Sequence, residues 1–235
     1  MKIAIVSDIH GNLEALESVG ACWDALWVLG DLVNYGPNPA EVVEFVRRNA
    51  SLVVCGNHDL AVGAGAGPQC SPAFAEMARA MQAYTSRRLT AEQKEYLRSL
   101  PRTASCTVDG EKFFLCHAAP SSPLYKYAPA DLAFWAGEAA AVDASVLLVG
   151  HTHLPMLLEL GRQRVVNPGS VGQPKHGVAE ARYAVWEDGA MRLRSSRYPV
   201  EQTVRKISDL PIEVPIRERL MEVLRTGRPP SSPRL

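Results

Sequence analysis

No charge of one sign prevails in this chain: 25 Lys and Arg stand against 25 Asp and Glu. A sequence so balanced is not built to be held on nucleic acid by bulk attraction, which needs an excess of cations to release counterions from phosphate. Only a local basic patch stays open. Cysteine is scarce and odd in number, at positions 22, 55, 70, 106 and 116. No Cys-x-x-Cys pair occurs, so a disulfide framework is not expected. Cys55 and Cys116 end the apolar runs LVVC and FFLC and read as small buried hydrophobes. No apolar stretch approaches the ~20 residues of a membrane span, and the run before Asp8 is too short for the apolar core of a signal peptide. A soluble cytoplasmic protein without a membrane partner is the expectation. The four tryptophans, Trp23, Trp27, Trp135 and Trp186, read as core rather than as stacking platforms for bases.

What is present is the material of an ordinary globular core, since 47% of the residues are hydrophobic. Short runs rich in Ile, Val and Leu at 2–7, 25–29, 51–55 and 146–149 predict buried strands. Helical spacing covers 12–22 and 39–48, the latter with Pro39 in its first turn. A Gly- and Ala-rich loop is expected at 61–68. Two helices should follow at about 72–87 and 91–99, the second opened by a Thr90/Gln93 capping box. Asp109-Gly110 and Asp188-Gly189 lie between strand-like segments and signal hairpins. A third hairpin is expected around Gly161, further helices at 131–141 and 215–225, and a disordered tail at 228–235. The order βαβαβ, then helices, then mostly antiparallel strands implies a layered α/β architecture with two sheets.

Polar motifs follow these apolar runs with unusual regularity: Asp8-Ile9-His10, Gly30-Asp31, Gly56-Asn57-His58-Asp59, His117, and Gly150-His151-Thr152-His153. Five of the six histidines fall in them. Open α/β sheets place their sites at the carboxyl ends of strands. Taken singly, each motif has an ordinary reading: a turn, a solvated loop, a satisfied core histidine. Taken together, they have the residue types of a metal site. Asp8 and His10 are two apart, so an extended backbone would point both side chains one way, and His151 with His153 repeats the spacing. Mixed imidazole and carboxylate donors suit Mn, Fe, Ni or Zn better than Mg or Ca.

The ordered pattern D-x-H, GD, GNHD, H, GHTH resembles that of the calcineurin-like metallophosphoesterase superfamily, over roughly residues 1–197. The segments GDLVNYGPNP and VNPGSVGQP resemble its small single-domain bacterial and archaeal branch. The resemblance implies an α/β layered sandwich of two mixed β-sheets flanked by helices. It implies two divalent transition-metal ions, manganese first, with iron, nickel or zinc as alternatives. Asp8, His10 and His153 would hold one ion, Asn57, His117 and His151 the other, and Asp31 would bridge them. A metal-bridging hydroxide would attack phosphorus, with His58 as leaving-group acid and Asp59 hydrogen-bonded to His58 to orient it. The implied activity is hydrolysis of a small phosphate ester, by a phosphodiesterase acting on nucleotide-like substrates. A phosphomonoesterase or phosphoprotein phosphatase, and a non-catalytic metal-binding scaffold, are the alternatives. The expected organisation is a catalytic domain over 1–200 with a helical insertion at 68–100, then a helical extension over 201–227. Asn34 and Tyr35 could line the site or serve an ordinary loop. Lys175 and His176 could reach phosphate, although a solvated loop is the simpler reading. The insertion, with Met77, Met81 and Tyr84, could cap the site or pack on the core, and packing is favoured.

Overall fold

The first two apolar runs become strands buried on both faces, so a covering layer lies on each side of them, whereas the third forms a partly exposed edge strand. In the computed structural model, which describes residues 1–67, 69, 72–128 and 130–229, β1 (Ile3–Val6) and β2 (Ala25–Val28) have every residue buried. Because side chains alternate across a strand, Ala4 and Val6 face helices while Ile3 and Ile5 face a second sheet. β1, β2 and β3 (Ala50–Val53) run parallel, joined through α1 (Leu13–Glu17) and α2 (Pro39–Asn49). The hairpin of β9 (Ala181–Glu187) and β10 (Ala190–Ser196) completes this sheet antiparallel to β1, in the order β10-β9-β1-β2-β3.

The second sheet has the order β4-β5-β6-β8-β7. It comprises β4 (Thr103–Val108), β5 (Glu111–Cys116), β6 (Val146–Leu148), β7 (Met156–Leu160) and β8 (Gln163–Asn167). Trp27, Phe113 and Trp186 pack edge to face between the sheets, with centroids 5.1 Å apart, a favoured arrangement of ring quadrupoles. α6 (Leu132–Ala140) covers the outer face through Trp135 and Ala139. The layers therefore run helix, sheet, sheet, helix, as expected. Trp27, Trp135 and Trp186 are core residues. Both Asp-Gly turns have positive φ at both positions, the conformation that matches strand twist.

One element differs from expectation, and the helical extension expected over 201–227 holds a second helix before the one expected at 215–225. Asn57–Ala64 is a helix, α3, where a loop was expected from residue 61. The Gly56 N–H donates to the Asp59 carboxylate at 3.0 Å, and this start carries the helix through the alanines before Gly65 stops it at φ 67°. A helix at Val200–Ser208, α7, precedes α8 (Val214–Thr226). These two pack on α4 (Pro72–Arg88), where Met77, Met81 and Tyr84 are buried. The insertion helix thus packs as favoured. Cys70, and the expected tail from residue 230 onward, lie outside the described residues. Among those described, no helix is long and apolar enough to cross a membrane.

α5 (Ala91–Ser99) has the expected capping box: Gln93 N–H donates to Thr90 Oγ1, and Thr90 N–H donates to Gln93 Oε1, both at 3.1 Å. Thr90→Ala should lower stability by about 1 kcal/mol, read as a lower urea midpoint with an unchanged slope.

Candidate metal centre

The carboxyl ends of both sheets meet at one place, and seven side chains from five segments converge there. Asp8 and His10 follow β1, Asp31 follows β2, Asn57 opens α3, His117 follows β5, and His151 and His153 follow β6. Their backbone is not the extended one expected. Asp8, His10, Asp31, His151 and His153 all have φ between 47° and 67°, a left-handed conformation that costs free energy for residues with a Cβ. The Asp8 and His10 side chains still converge, by turns rather than by strand alternation. His151 and His153 diverge instead, each joining a different group.

The first group is Asp8, His10 and His153. His10 Nδ1 lies 3.1 Å from the Val33 carbonyl and His153 Nδ1 lies 2.6 Å from that of Gln173. A carbonyl only accepts, so both protons sit on Nδ1 and each Nε2 presents a lone pair. Those two Nε2 atoms are 3.2 Å apart. Asp8 Oδ1 is 3.2 Å from His153 Nε2 and 3.8 Å from His10 Nε2. Asp8 Oδ2 accepts from Ser7 Oγ at 2.6 Å and from the His151 N–H at 3.1 Å, whereas Oδ1 is buried with no hydrogen-bond partner. Three acceptors thus confront one another, and a cation among them satisfies all three.

The second group is Asp31, His117 and His151, joined by an oxygen of Asn57. His117 Nδ1 donates to the Leu29 carbonyl at 2.8 Å, which turns its Nε2 inward. That atom lies 3.0 Å from Asn57 Oδ1, 3.2 Å from His151 Nδ1 and 3.3 Å from Asp31 Oδ2. Asp31 Oδ2 is also 3.7 Å from His10 Nε2, so one carboxylate oxygen faces both groups. Its other oxygen accepts the His58 backbone N–H at 2.9 Å.

Charge and burial prepare these donors. Burial pulls His10 and His151 down to about 3, and takes His153 well below its ordinary value. Their imidazoles are therefore neutral and can ligate. Burial also pushes Asp8 up to about 6. Burial would raise Asp31 too, but His117, then His58 and His10, outweigh it and hold Asp31 well below the carboxylate range. Burial would lower His117, yet Asp31 outweighs it and lifts His117 to about 9.

Two glycines permit the convergence. A Cβ on Gly56 would lie 2.1 Å from Asp31 Oδ1, and one on Gly150 would lie 2.0 Å from Ser7 Oγ.

Asp59 takes a place other than the expected one. Its carboxylate accepts the N–H groups of Asp31 at 2.8 Å, Leu32 at 2.8 Å and Gly56 at 3.0 Å. It clasps the ends of β2 and β3 instead of bonding the His58 ring. The ring's partner is Asn34, whose Nδ2 lies 2.8 Å from His58 Nδ1 and 3.2 Å from the Ala78 carbonyl of α4. Asn34 and Tyr35 are both buried with positive φ. Tyr35, His58 and Lys175 line a cavity of about 510 Å³ that opens onto Asp31, Asn57, His151 and His153. His176 turns away, bonded to Arg182 at 3.2 Å. A further set of supports escaped prediction: Asn167 donates to the Gly150 carbonyl at 2.7 Å, and Ser170 Oγ donates to that of Asp8 at 2.7 Å. Both lie in or beside the VNPGSVGQP segment, whose Asn and Ser were the available signal.

The chain is similar to several known proteins. Residues 1–188 match the model of the calcineurin-like phosphoesterase superfamily domain. An uncharacterized protein of Methanocaldococcus jannaschii is 30% identical over 247 residues, covering 96% of this chain and 98% of that protein. Phosphodiesterase YfcE of Escherichia coli is 30% identical over 197 residues, covering 75% of this chain and 83% of that protein. The crystal structure of a metallophosphoesterase from Sphaerobacter thermophilus superposes with a TM-score of 0.79 at 32% identity, over 94% of this chain and 98% of that one.

If the confronted acceptors are cation sites, cations must stabilise the fold. At a hundredfold excess over Kd, each bound ion adds about 2.7 kcal/mol, or roughly 5–11 °C in Tm for a chain of this size. Manganese-loaded protein should melt higher than chelated protein by at least one such increment, and Asp31→Asn should shrink the gain. Equal melting temperatures would rule the cation sites out.

Proposed function

The chain belongs to the calcineurin-like phosphoesterase superfamily and is a phosphoesterase; from that premise we propose that it is a binuclear metal-dependent phosphodiesterase of small, nucleotide-like esters. The observation that carries the reading is the pair of acceptor groups sharing Asp31 Oδ2, with the buried His58 beside them. Asp8, His10 and His153 would hold one cation, Asn57, His117 and His151 the other, with Asp31 between. Manganese is the expected ion, with iron, nickel or zinc as alternatives. When bound, two such cations supply an activated water at neutral pH and neutralise charge on the phosphoryl oxygens.

His58 is the leaving-group acid in this proposal. With Asn34 Nδ2 donating to Nδ1, the ring carries its proton on Nε2 and offers it as a hydrogen bond. To give that proton up and remain a neutral imidazole, His58 must also hold one on Nδ1. Protonation of Nδ1 displaces its bond from one Asn34 Nδ2 hydrogen, while the other Nδ2 hydrogen keeps its bond to the Ala78 carbonyl at 3.2 Å and Asn34 stays beside the ring. Asn34 is thus a positioning residue for His58, and Asp59 positions Asp31. The diesterase reading draws support from the 30% identity to phosphodiesterase YfcE. The same proposal divides the chain into a catalytic domain over 1–200, with a helical insertion at 68–100, and an extension over 201–227; the family match ending at residue 188 supports it.

The test is turnover of bis-p-nitrophenyl phosphate against p-nitrophenyl phosphate, with manganese or nickel added back. Faster hydrolysis of the diester is expected. Two bound cations without any turnover would favour the scaffold instead. His58→Ala should keep its metal and lose about 10²–10⁴ in kcat. Asn34→Ala should lose roughly 10–100-fold in kcat with metal content and KM near those of the parent. An unchanged kcat in either variant rejects the role given to that residue.

A further inference from the structure

The cavity over the metal centre is far larger than a phosphate group needs. Its volume of about 510 Å³ falls in the ~300–1,000 Å³ range of small-molecule sites. Beyond the polar floor its walls are aromatic. Phe74 comes from α4, and Tyr125 and Tyr127 come from the segment between β5 and α6. Tyr125 and Tyr127 are 41% and 60% exposed, although buried positions suit such rings better. The Tyr127 ring lies 6.0 Å from that of His151, so this wall stands directly against the candidate metal donors.

Lys175 supplies a cation at the same place. Its Nζ is 4.4 Å from the centroid of the Phe74 ring, and ring and ammonium attract one another. It lines the same cavity as His58 and the candidate donors Asp31, Asn57, His151 and His153. A solvated loop lysine does not meet that description.

We propose that this cavity selects phosphate esters carrying a planar aromatic group, which stacks on Tyr125 and Tyr127, while Lys175 binds a phosphate oxygen beside the metal centre. The inference rests on the phosphoesterase reading and adds a substrate class to it. An aliphatic ester would use the floor and leave the aromatic walls wet. A nucleobase and a simple aryl ring offer the same π face, so both can satisfy the site. Each base stacked on an aromatic side chain contributes enough to change affinity by about tenfold. Lys175 acts on the phosphate and is blind to what the ester carries.

Non-hydrolysable phosphonates separate binding from turnover. Calorimetric titration of the manganese-loaded protein with ethylphosphonate, phenylphosphonate and an acyclic adenine phosphonate keeps the headgroup constant. The two aromatic probes should bind about tenfold more tightly than ethylphosphonate. A phenyl affinity equal to the adenine affinity assigns the site to any flat ring, and a clear adenine advantage assigns it to nucleobases. The double variant Tyr125→Ala/Tyr127→Ala should close the gap between aromatic and ethyl probes. Both tyrosines are exposed, so its fold should persist, checked by an unchanged Tm. Lys175→Ala should weaken all three probes together, and Lys175→Arg should restore them. Equal affinities for all three probes, or a gap that survives the double variant, overturns the inference whether or not bis-p-nitrophenyl phosphate is hydrolysed. Loss of hydrolysis with the gap intact overturns only the diesterase reading.

Discussion

Three backbone carbonyls, those of Leu29, Val33 and Gln173, govern the chemistry of this protein. Each takes the Nδ1 proton of one imidazole, His117, His10 and His153 respectively. Each thereby turns a lone pair toward the centre. None of the three is itself a candidate donor, although Val33 and Gln173 lie in the GDLVNYGPNP and VNPGSVGQP segments. They sit where they do because β2 ends at residue 28, because the loop after it turns back on itself, and because the segment at 169–173 is stitched to β1's end by N–H bonds from Val171 to Ser7 and from Gly172 to Asp8. The sheets thus do more than carry ligands at their ends. Their exit loops fix which nitrogen of each ring faces the candidate metal centre.

The same logic accounts for what could be read in the sequence. Donor identity is a matter of residue type, so Asp8, His10, Asp31, Asn57, His117, His151 and His153 stood out as a series, and the strands before them announced themselves as apolar runs. Partners are a matter of three-dimensional approach. Asp59 beside His58 suggests a pair, but the helix that begins at Asn57 aims the carboxylate back at the N–H groups of residues 31, 32 and 56. Asn34, 24 residues away, reaches the ring instead. Left-handed backbone at Asp8 and His10 was also illegible, because tertiary contacts impose it against local preference. α3 was hidden by its alanines and glycines. α7 was not hidden: Val200, Val204 and Ile207 have helical spacing and lie on its buried side. Tyr125 and Tyr127 carry no sequence signal, since only the fold brings their loop to the cavity.

The C-terminal helices show how support for a site extends past its motifs. Thr203 of α7 donates to Asn12 Oδ1 at 3.1 Å and to Glu14 Oε2 at 2.9 Å, and Lys206 bonds the same Glu14. Asn12 in turn caps α1 and donates to the Gly172 carbonyl at 3.0 Å. Ile207, Leu220 and Leu224 form a wall behind His10 and Tyr35. α8 also packs on α4, whose Ala78 carbonyl holds Asn34.

This dependence bears on what counts as a transferable unit. The motif-bearing stretch is not a part that could be moved to another setting intact. Asn12 sits two residues past His10 and has a partner on a helix 191 residues further along the chain. Evolution could therefore alter the floor of the candidate site from its far end, through a threonine or a leucine of the C-terminal helices. Recombination that joined these motifs to a foreign C-terminus would have to supply a new partner for Asn12 as well as a new wall.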